Sequence, residues 1–236
     1  MRMFTDFHTH VLPGVDDGSR SVKESIALLQ MEAQQGVTRV VATPHFYPMH
    51  DSPERFLNRR AKAEARLREA MEDHAGCPNL IIGAEVYFFH GMSDSDVLSE
   101  LTIGNNRCIL IEMPPSPWSD SMYQELENIY QKRNLLPIIA HIDRYIGPFH
   151  TFGIPRRLAD LPVMVQANAD FFLNRFTAPM AIRMLKEDAI QLLGSDCHNL
   201  SARKPNLQEA LEIIRKRLGK EAISRINHHS QKLLGG

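Results

Sequence analysis

The chain has 236 residues, 43% hydrophobic and 23% charged, and a formal net charge of -1 at pH 7. This length fits one α/β domain over residues 1–236, and the near-neutral charge argues against a nucleic-acid partner. No apolar run approaches the roughly 20 residues that span a bilayer, and no signal-peptide core opens the chain, so we expect a cytoplasmic protein without membrane insertion. Three scattered cysteines indicate reduced thiols and no disulfide framework.

The first predicted element is a buried strand over residues 4–8 that leads into the sequence His8-Thr9-His10. Side chains alternate along a strand, so His8 and His10 project from one face and can hold one metal ion. Two carboxylates, Asp16 and Asp17, follow just beyond. A half-solvated amphipathic strand would show the same alternation, so the pair alone does not establish a metal site.

Short apolar runs and helical patterns then alternate along the chain. Further strands are predicted over residues 37–42, 80–85, 109–112, 136–141, 163–167 and 190–194, and helices over 22–35, 54–74, 121–133, 155–161, 178–188 and 207–218. Residues 92–106 are predicted to form a helical turn and a hairpin. Continuous β-branched runs indicate strands covered on both faces, and hence a parallel sheet between helices. Seven strands predict an α/β fold with a closed or nearly closed barrel.

Most of the predicted strands end in or are closely followed by a residue that can bind a metal. In a parallel α/β barrel the carboxyl ends of all strands converge on one mouth, so residues distant in sequence become neighbours there. Imidazoles and carboxylates without thiolates suit Zn, Mn or Fe. The sequence therefore predicts a polynuclear, catalytic metal site at this mouth, built from His8, His10, His45, Glu85, Glu112, His141, Asp196 and His198.

Seven motifs carry a family resemblance. They are Phe7-His8-Thr9-His10, Val15-Asp16-Asp17-Gly18-Ser19, Ala42-Thr43-Pro44-His45, Gly83-Ala84-Glu85, Ile109-Leu110-Ile111-Glu112, Ala140-His141 and Gly194-Ser195-Asp196-Cys197-His198-Asn199. In order and spacing they resemble the polymerase-and-histidinol-phosphatase (PHP) superfamily, and within it the CpsB-type tyrosine phosphatases of bacterial capsular and exopolysaccharide operons. The resemblance covers essentially the whole chain and implies a distorted (β/α)7 TIM-like barrel.

The resemblance also implies three divalent metal ions, often manganese, with iron or zinc as alternatives. The first would be held by His8, His10, Glu85 and Asp196, the second by Glu85, Glu112 and His141, and the third by Asp17, His45 and His198. Two arginines match the phosphate-binding positions of the family, Arg144 and Arg203. These arginines, with Asp17 and His45, are the expected catalytic residues, and a metal-bridged hydroxide would be the nucleophile.

The implied reaction is hydrolysis of protein phosphotyrosine. A phenolate leaves with a pKa of about 10, so it needs less help from a general acid than an alkoxide does, and the sequence shows no certain proton donor. The implied partner is a bacterial tyrosine kinase with a tyrosine-rich tail that controls polysaccharide export. The sequence leaves the oligomeric state open, a homo-oligomer included.

Three alternatives remain at this point. Cys197 and Arg203 have the C-x5-R spacing of cysteine-dependent tyrosine phosphatases, although no glycine lies between them. The metals could instead serve histidinol phosphate, a nucleic-acid end or another small phosphomonoester, or the chain could be an inactive metal-stabilised scaffold. One departure concerns Arg144, which follows Ile142-Asp143 where the family usually has Pro-Glu.

Several other residues have two interpretations. Trp118 either faces substrate at the mouth or packs its own loop, and Tyr87 and Phe88 pose the same choice. A ligand role is not expected for the remaining histidines, which are His50, His74, His90, His150, His228 and His229.

Overall fold

The computed structural model describes residues 4–146 and 153–235. Its strands are β1 (Phe4–Thr9), β2 (Val37–Ala42), β3 (His45–Phe46), β4 (Asn79–Ile82), β5 (Glu85–Tyr87), β6 (Cys108–Glu112), β7 (Leu136–Ile139), β8 (Met164–Asn168) and β9 (Leu192–Gly194). Its α-helices are α1 (Val22–Gln34), α2 (Pro53–Glu72), α3 (Asp120–Arg133), α4 (Gly153–Ala159), α5 (Asp170–Leu173), α6 (Ala178–Lys186), α7 (Leu207–Leu218) and α8 (Lys220–Leu234). The predicted α/β alternation is confirmed.

The strands form two curled parallel sheets. One has the order β1-β2-β4 and the other β3-β5-β6-β7-β8-β9. The chain just after β9 returns to β1, where the N–H of His10 donates to the carbonyl of Cys197 (2.9 Å) and the N–H of Asp196 donates to the carbonyl of His8 (2.8 Å). The end of the last strand therefore lies beside the first, and both contribute to the same mouth.

The predicted strand over residues 80–85 is wrong in one respect, because it is two strands in different sheets. Gly83 and Ala84 separate β4 from β5, just as Thr43 and Pro44 separate β2 from β3. Pro44 has no N–H to continue a ladder, and its carbonyl instead accepts from the N–H of Glu85 (3.0 Å). The two interruptions lie side by side, so the second halves of both strands join the larger sheet.

The segment over residues 92–106 also differs from its prediction. It contains two short 3-10 helices, Met92–Asp94 and Asp96–Glu100, followed by turns. The predicted hairpin is absent from this described segment. The N–H of Ile103 donates to the carbonyl of Cys108 at the start of β6 (3.0 Å), so the turns lead directly into the sheet.

Two groups of buried side chains hold the sheets in place. The larger packs helices against the outside of the strands and includes Leu28, Leu29 and Leu126, all without solvent exposure. The smaller joins Phe7 of β1 to side chains of strands across the molecule, namely Val41, Ile103, Cys108, Leu110, Ile138, Ala140 and Leu192. Burial of each large apolar side chain contributes about 1.5–3 kcal/mol. The second group therefore links β1 to β2, β6, β7 and β9.

Helix α2 begins at Pro53, one residue before its predicted start. The hydroxyl of Ser52 accepts a hydrogen bond from the N–H of Arg55 (3.3 Å), and Pro53 occupies the first turn, where a missing N–H costs nothing. Within the described residues, no helix combines the length and apolarity needed to cross a bilayer.

Candidate metal centre

His8 of β1 and His10, which follows that strand, meet at their Nε2 atoms, which lie 3.1 Å apart, and both side chains are fully buried. Two glycines make room for this strand. A Cβ added at Gly194 would lie 2.5 Å from the Cβ of His8, and one added at Gly18 would lie 2.3 Å from the carbonyl oxygen of His10. No other residue fits at either position without displacing the histidine strand.

Glu85 lies at the centre of the cluster. Its Oε2 is 3.1 Å from Nε2 of His8, 3.3 Å from Nε2 of His10 and 2.9 Å from Nδ1 of His45. Its Oε1 is 2.6 Å from Nε2 of His141. One carboxylate thus reaches four histidines from three different segments of the mouth.

The remaining predicted ligands surround this carboxylate. Glu112 has one oxygen 3.7 Å from Nε2 of His141 and the other 3.8 Å from Nδ1 of His45. On the opposite side, Oδ1 of the exposed Asp17 lies 3.4 Å from Nε2 of His198 and 3.6 Å from Nε2 of His45. The structure therefore brings together the side chains that the sequence places at separate strand ends.

Three groups of side chains have ligand atoms within 4.8 Å of one another. They are His8-His10-Glu85, His45-Glu85-Glu112 and His10-Asp17-His45-His198. These groups overlap with the three expected ligand sets but divide the residues differently, since His10 joins the third group and His45 the second. Asp196 lies beside the first group, with Oδ1 3.3 Å from Nε2 of His10.

Divalent cations fit this donor set. Oδ1 of Asp196 and Nε2 of His198 are buried, point into the cluster, and have no hydrogen-bond partner among the described residues. Leaving such an atom unsatisfied costs about 1–3 kcal/mol, which a bound cation would offset. The donors are imidazole nitrogens and carboxylate oxygens, the chemistry that Mn, Fe and Zn accept.

The electrostatics of the cluster favour positive charge at its centre. Burial alone would raise the pKa of Glu85, but the charge of His8 and hydrogen bonds from three other histidines hold this pKa well below its usual range. The pKa of Asp196 is likewise held low, against burial, by His8 and His10. Burial, with His10 and Arg203, lowers the pKa of His198 to about 4, so this imidazole is neutral at pH 7. Against burial, the neighbouring carboxylates raise the pKa of His8 and of His10, and a bound cation would displace the protons that these two rings hold.

Two arginines converge on the second oxygen of Asp196. Nη2 of Arg144 lies 2.5 Å and Nη2 of Arg203 lies 2.8 Å from Oδ2, which also accepts from the amide of Asn168 (3.0 Å). The side chain of Arg144 is 40% exposed and that of Arg203 is 38% exposed, and both line a cavity of about 430 Å³. Asp196 therefore presents one oxygen to the cluster and the other to two guanidinium groups at the open mouth.

The Ile142-Asp143 sequence holds Arg144 in place. Residues Ile142–Arg144 form a 3-10 turn in which Ile142 is fully buried. Oδ1 of Asp143 accepts a hydrogen bond from the N–H of Asn168 at the end of β8 (2.9 Å). The departure from Pro-Glu thus ties the turn to the neighbouring strand.

Sequence reasoning assigned no role to two residues that orient the histidines. Oδ2 of Asp16 lies 2.6 Å from Nδ1 of His10, and Oε1 of Gln166 lies 3.2 Å from Nδ1 of His8 and accepts from the N–H of His141 (2.6 Å). The sequence around each of these two residues contained an indication of such a role. Asp16 adjoins Asp17, and Gln166 is a polar residue inside an otherwise apolar predicted strand.

A third missed group lies behind the cluster. Asp6 is fully buried, and its Oδ1 accepts from the N–H groups of His8 (3.1 Å) and Ser195 (3.0 Å). Glu32 of α1 is also fully buried and accepts from the Ser195 hydroxyl (3.3 Å). This carboxyl pair supports the backbone on both sides of the mouth.

Cys197 belongs to the same buried region. Its Sγ lies 3.8 Å from Oε1 of Glu32, and burial, reinforced by the charges of Glu32 and Asp6, raises the thiol pKa well above its usual value. A cysteine nucleophile requires an accessible thiolate. The structure therefore disfavours the C-x5-R interpretation.

The structure also places the aromatic residues that had two interpretations and the remaining histidines. Trp118 is buried, donates from Nε1 to the carbonyl of Pro114 (3.1 Å) and packs edge-on against Tyr145, so it packs its own loop. Phe88 is buried as well, whereas Tyr87 is half-buried beside Tyr47. Among the remaining histidines, His150 lies outside the described residues, and the others take part in none of the three ligand groups.

Known proteins are similar to this chain over most of its length. The family model "Capsular polysaccharide synthesis, CpsB/CapC" matches residues 4–234. The chain is 31% identical over 224 residues to the tyrosine-protein phosphatase CpsB of Streptococcus pneumoniae, covering 91% of this chain and 90% of that protein. It is 25% identical over 238 residues to the tyrosine-protein phosphatase YwqE of Bacillus subtilis, covering 97% and 91%.

The fold has a close counterpart among solved structures. It superimposes with a TM-score of 0.87 and 22% identity on a chain from crystal structures of YwqE from Bacillus subtilis and CpsB from Streptococcus pneumoniae, which are described as metal-dependent tyrosine phosphatases. The match covers 98% of this chain and 94% of the other.

Proposed function

The chain belongs to the CpsB/CapC family of capsular polysaccharide synthesis proteins, and from this premise we propose that it is a metal-dependent protein-tyrosine phosphatase. The observation that carries the proposal is the position of Asp196. Its Oδ1 faces the buried histidine and carboxylate cluster, while its Oδ2 lies within 2.8 Å of two guanidinium nitrogens, those of Arg144 and Arg203. A phosphate bound here would lie between the proposed metal ligands and the two arginines.

We assign three divalent cations, with manganese as the first candidate, to the ligand sets His8-His10-Glu85-Asp196, Glu85-Glu112-His141 and Asp17-His45-His198. When bound, such cations polarise a water molecule for attack and neutralise charge on phosphate oxygens. Glu85 lies where it can contribute to two of these sets, because its two oxygens face different histidines.

The side chains of this protein supply orientation and charge. Arg144 and Arg203 are exposed enough to donate to phosphate oxygens, and their attachment to Asp196 fixes the phosphate next to the cluster. Asp17 and His45 complete the side of the mouth opposite the arginines. The phenolate of phosphotyrosine, with a pKa of about 10, leaves without a dedicated proton donor.

The same proposal includes the finer features of the fold and the setting. β2 with β3, and β4 with β5, each count as one interrupted barrel strand, so the nine described strands correspond to seven barrel strands. The fold is then a distorted (β/α)7 barrel of the PHP type, in a single domain over residues 1–236. The substrate is a phosphotyrosine protein of a capsule or exopolysaccharide system, a tyrosine kinase with a tyrosine-rich tail, encountered in the cytoplasm.

The test compares substrates and metals in one series. Protein stripped with chelator is reloaded with Mn²⁺, Fe²⁺ or Zn²⁺, and hydrolysis of a phosphotyrosine peptide is measured beside a phosphoserine peptide and histidinol phosphate. We expect turnover only after reloading, a preference for phosphotyrosine and up to three metal ions per chain by elemental analysis.

Three results would overturn the proposal. Preference for histidinol phosphate would indicate the alternative small phosphomonoesterase activity. Metal binding without turnover of any substrate would indicate a metal-stabilised scaffold. Full activity of the stripped protein would remove the role of the metals.

A further inference from the structure

A second cavity opens next to the metal cluster on the side of Asp17 and His45. Its volume is about 680 Å³, and we call it the Arg55 cavity after the most exposed arginine in its wall. It lies between the loop after β1, the loop after β3 and the first turns of α2. Its lining residues are Val15, Asp16, Asp17, His45, Tyr47, His50, Asp51, Arg55 and Arg59.

Its two arginines differ in how firmly they are held. Arg59 donates from Nε to the carbonyl of Val15 (3.1 Å) and from Nη2 to Asp51 (2.7 Å), so it is a fixed part of the wall. Arg55 has one ion pair within the described residues, from Nε to Oδ1 of Asp51 (3.3 Å), and its side chain is 70% exposed. Arg55 is therefore the cation that remains accessible to a ligand.

The lining carries two arginines and three carboxylates, and an anion is favoured locally, at the exposed guanidinium of Arg55. Asp51 offsets one of the two arginines, and the carboxylate of Asp16 is already engaged by His10 and by the N–H of His45. Asp17 lies at the inner end, where the proposed function assigns it to a cation. The first turn of α2, which carries Arg55, adds the positive end of a 20-residue helix dipole.

The inner wall connects the cavity to the reaction site. The ring of Tyr47 stacks on His45 with centroids 5.0 Å apart and an interplanar angle of 27°. Its hydroxyl donates to Oε2 of Glu112 (3.4 Å), which fixes the ring between the cavity and the cluster. A peptide whose phosphotyrosine enters the cluster would pass this ring on its way out.

We propose that the Arg55 cavity binds an acidic side chain of the substrate, located within three residues of the phosphotyrosine. The assignment rests on the proposed function and adds to it the class of peptide that this site selects. Three residues of extended chain reach about 10 Å, a distance suited to a cavity that shares two lining residues with the cluster. Arg55 would donate to the carboxylate from its exposed guanidinium.

The test is a charge swap. Phosphotyrosine peptides carry a single Glu or Lys at each of the three positions before and after the phosphotyrosine, and kcat/KM is measured for each pair at low salt. At one or more positions the wild-type protein is expected to prefer Glu over Lys by about fivefold, the scale of a partly exposed ion pair. In Arg55→Glu the preference at the same position inverts.

The matched control is Lys216→Glu, which makes the same charge change at an exposed position in the last turn of α7. It should keep the wild-type preference. A gain of activity toward the Lys peptide cannot result from misfolding, so the inversion is a specific readout. Raising the salt concentration should reduce the preference, because screening weakens exposed charge pairs.

Two outcomes separate this inference from the proposed function. Suppose that wild-type protein hydrolyses the peptides, but the ratio of kcat/KM for the Glu peptide to that for the Lys peptide is the same in wild type and in Arg55→Glu at every position. The inference is then wrong and the phosphatase assignment stands. If no peptide is hydrolysed by wild-type protein with metal supplied, the assignment itself fails, and the inference fails with it.

Discussion

Nδ1 of His10 lies 2.6 Å from Oδ2 of Asp16, and the same oxygen accepts a hydrogen bond from the N–H of His45 (2.9 Å). Asp16 thus fixes the ring of one expected ligand and the backbone of another. Although burial would raise the pKa of Asp16, the charge of His10 lowers it, so Asp16 remains a carboxylate across the physiological range. Its neighbour Asp17 is exposed and faces the cluster instead.

Asp16→Asn should weaken metal binding about 10- to 100-fold, because loss of a carboxylate behind a ligating histidine removes its orientation and basicity. Calorimetric titration of the stripped protein with Mn²⁺ measures this affinity directly. Asp73→Asn, at an exposed position after α2, is the control and should bind as wild type does. Unchanged affinity in Asp16→Asn would remove the positioning role.

His141→Ala and Cys197→Ala should have opposite effects on hydrolysis. Loss of the imidazole that contacts Glu85 is expected to reduce kcat/KM by at least about 100-fold. Loss of the buried thiol should leave turnover intact and cost about 1 kcal/mol of stability through a small cavity. An active His141→Ala with an inactive Cys197→Ala would reinstate a thiol mechanism.

Arg203→Lys should lower kcat/KM for phosphotyrosine by about 10- to 100-fold, since an ammonium group cannot donate to phosphate and to Asp196 in the same planar geometry. Arg183→Lys, on the exposed surface of α6, provides the control. Initial rates over a range of substrate concentration give the answer. Wild-type kinetics in Arg203→Lys would place the phosphate elsewhere.

Gly194→Ala should disturb the cluster from behind. The added methyl group would lie 2.5 Å from the Cβ of His8 and 2.9 Å from Nε2 of Gln166, so the strand must move. We expect a loss of about 1–3 kcal/mol in the free energy of unfolding and a lower metal content after purification. Gly153→Ala, where an added Cβ meets nothing within 4 Å, should show neither effect.

Glu32→Gln should make stability less dependent on pH. Burial, followed by the charge of Asp6, raises the pKa of Glu32 well above its usual value, so the folded protein holds a proton that the unfolded chain releases. A raised folded pKa contributes stability that is present below the unfolded pKa of about 4.3 and is lost as pH rises through the folded value.

The amide of Gln donates to Asp6 without needing that proton. Thermal unfolding is measured at pH 5 and pH 8.5. Between these two values, the free energy of unfolding of Glu32→Gln relative to that of wild type should rise by about 1 kcal/mol or more. Parallel curves for the two proteins would mean that Glu32 is not the proton carrier.

Much of the architecture was predictable from local patterns. Apolar runs and helical periodicity gave the alternation of strands and helices, and the placement of acids and imidazoles at strand ends predicted that they would lie together. The interruption between β4 and β5 was not predictable, because residues 80–85 have the local pattern of one apolar run. They divide only where the N–H groups of Gly83 and Glu85 meet the carbonyls of Ala42 and Pro44.

Asp6 shows why the supporting residues were missed. Strict alternation would place it on the same face as His8 and His10, but the pairing of β1 with β2 shifts register between Asp6 and Thr9. Asp6 therefore binds the N–H of Ser195 and faces Glu32, a residue of α1 that sequence spacing cannot relate to it. Such contacts depend on tertiary structure alone.

The hydrogen bonds that join His8 to Asp196 and His10 to Cys197 have a consequence for biosynthesis. They connect residues 8 and 10 to residues 196 and 197, so closure of a loop of about 190 residues must precede assembly of the cluster. A nascent chain emerging from the ribosome would hold the amino-terminal histidines long before their partners exist. Under the proposed function, metal capture would therefore follow synthesis of residues 196–198.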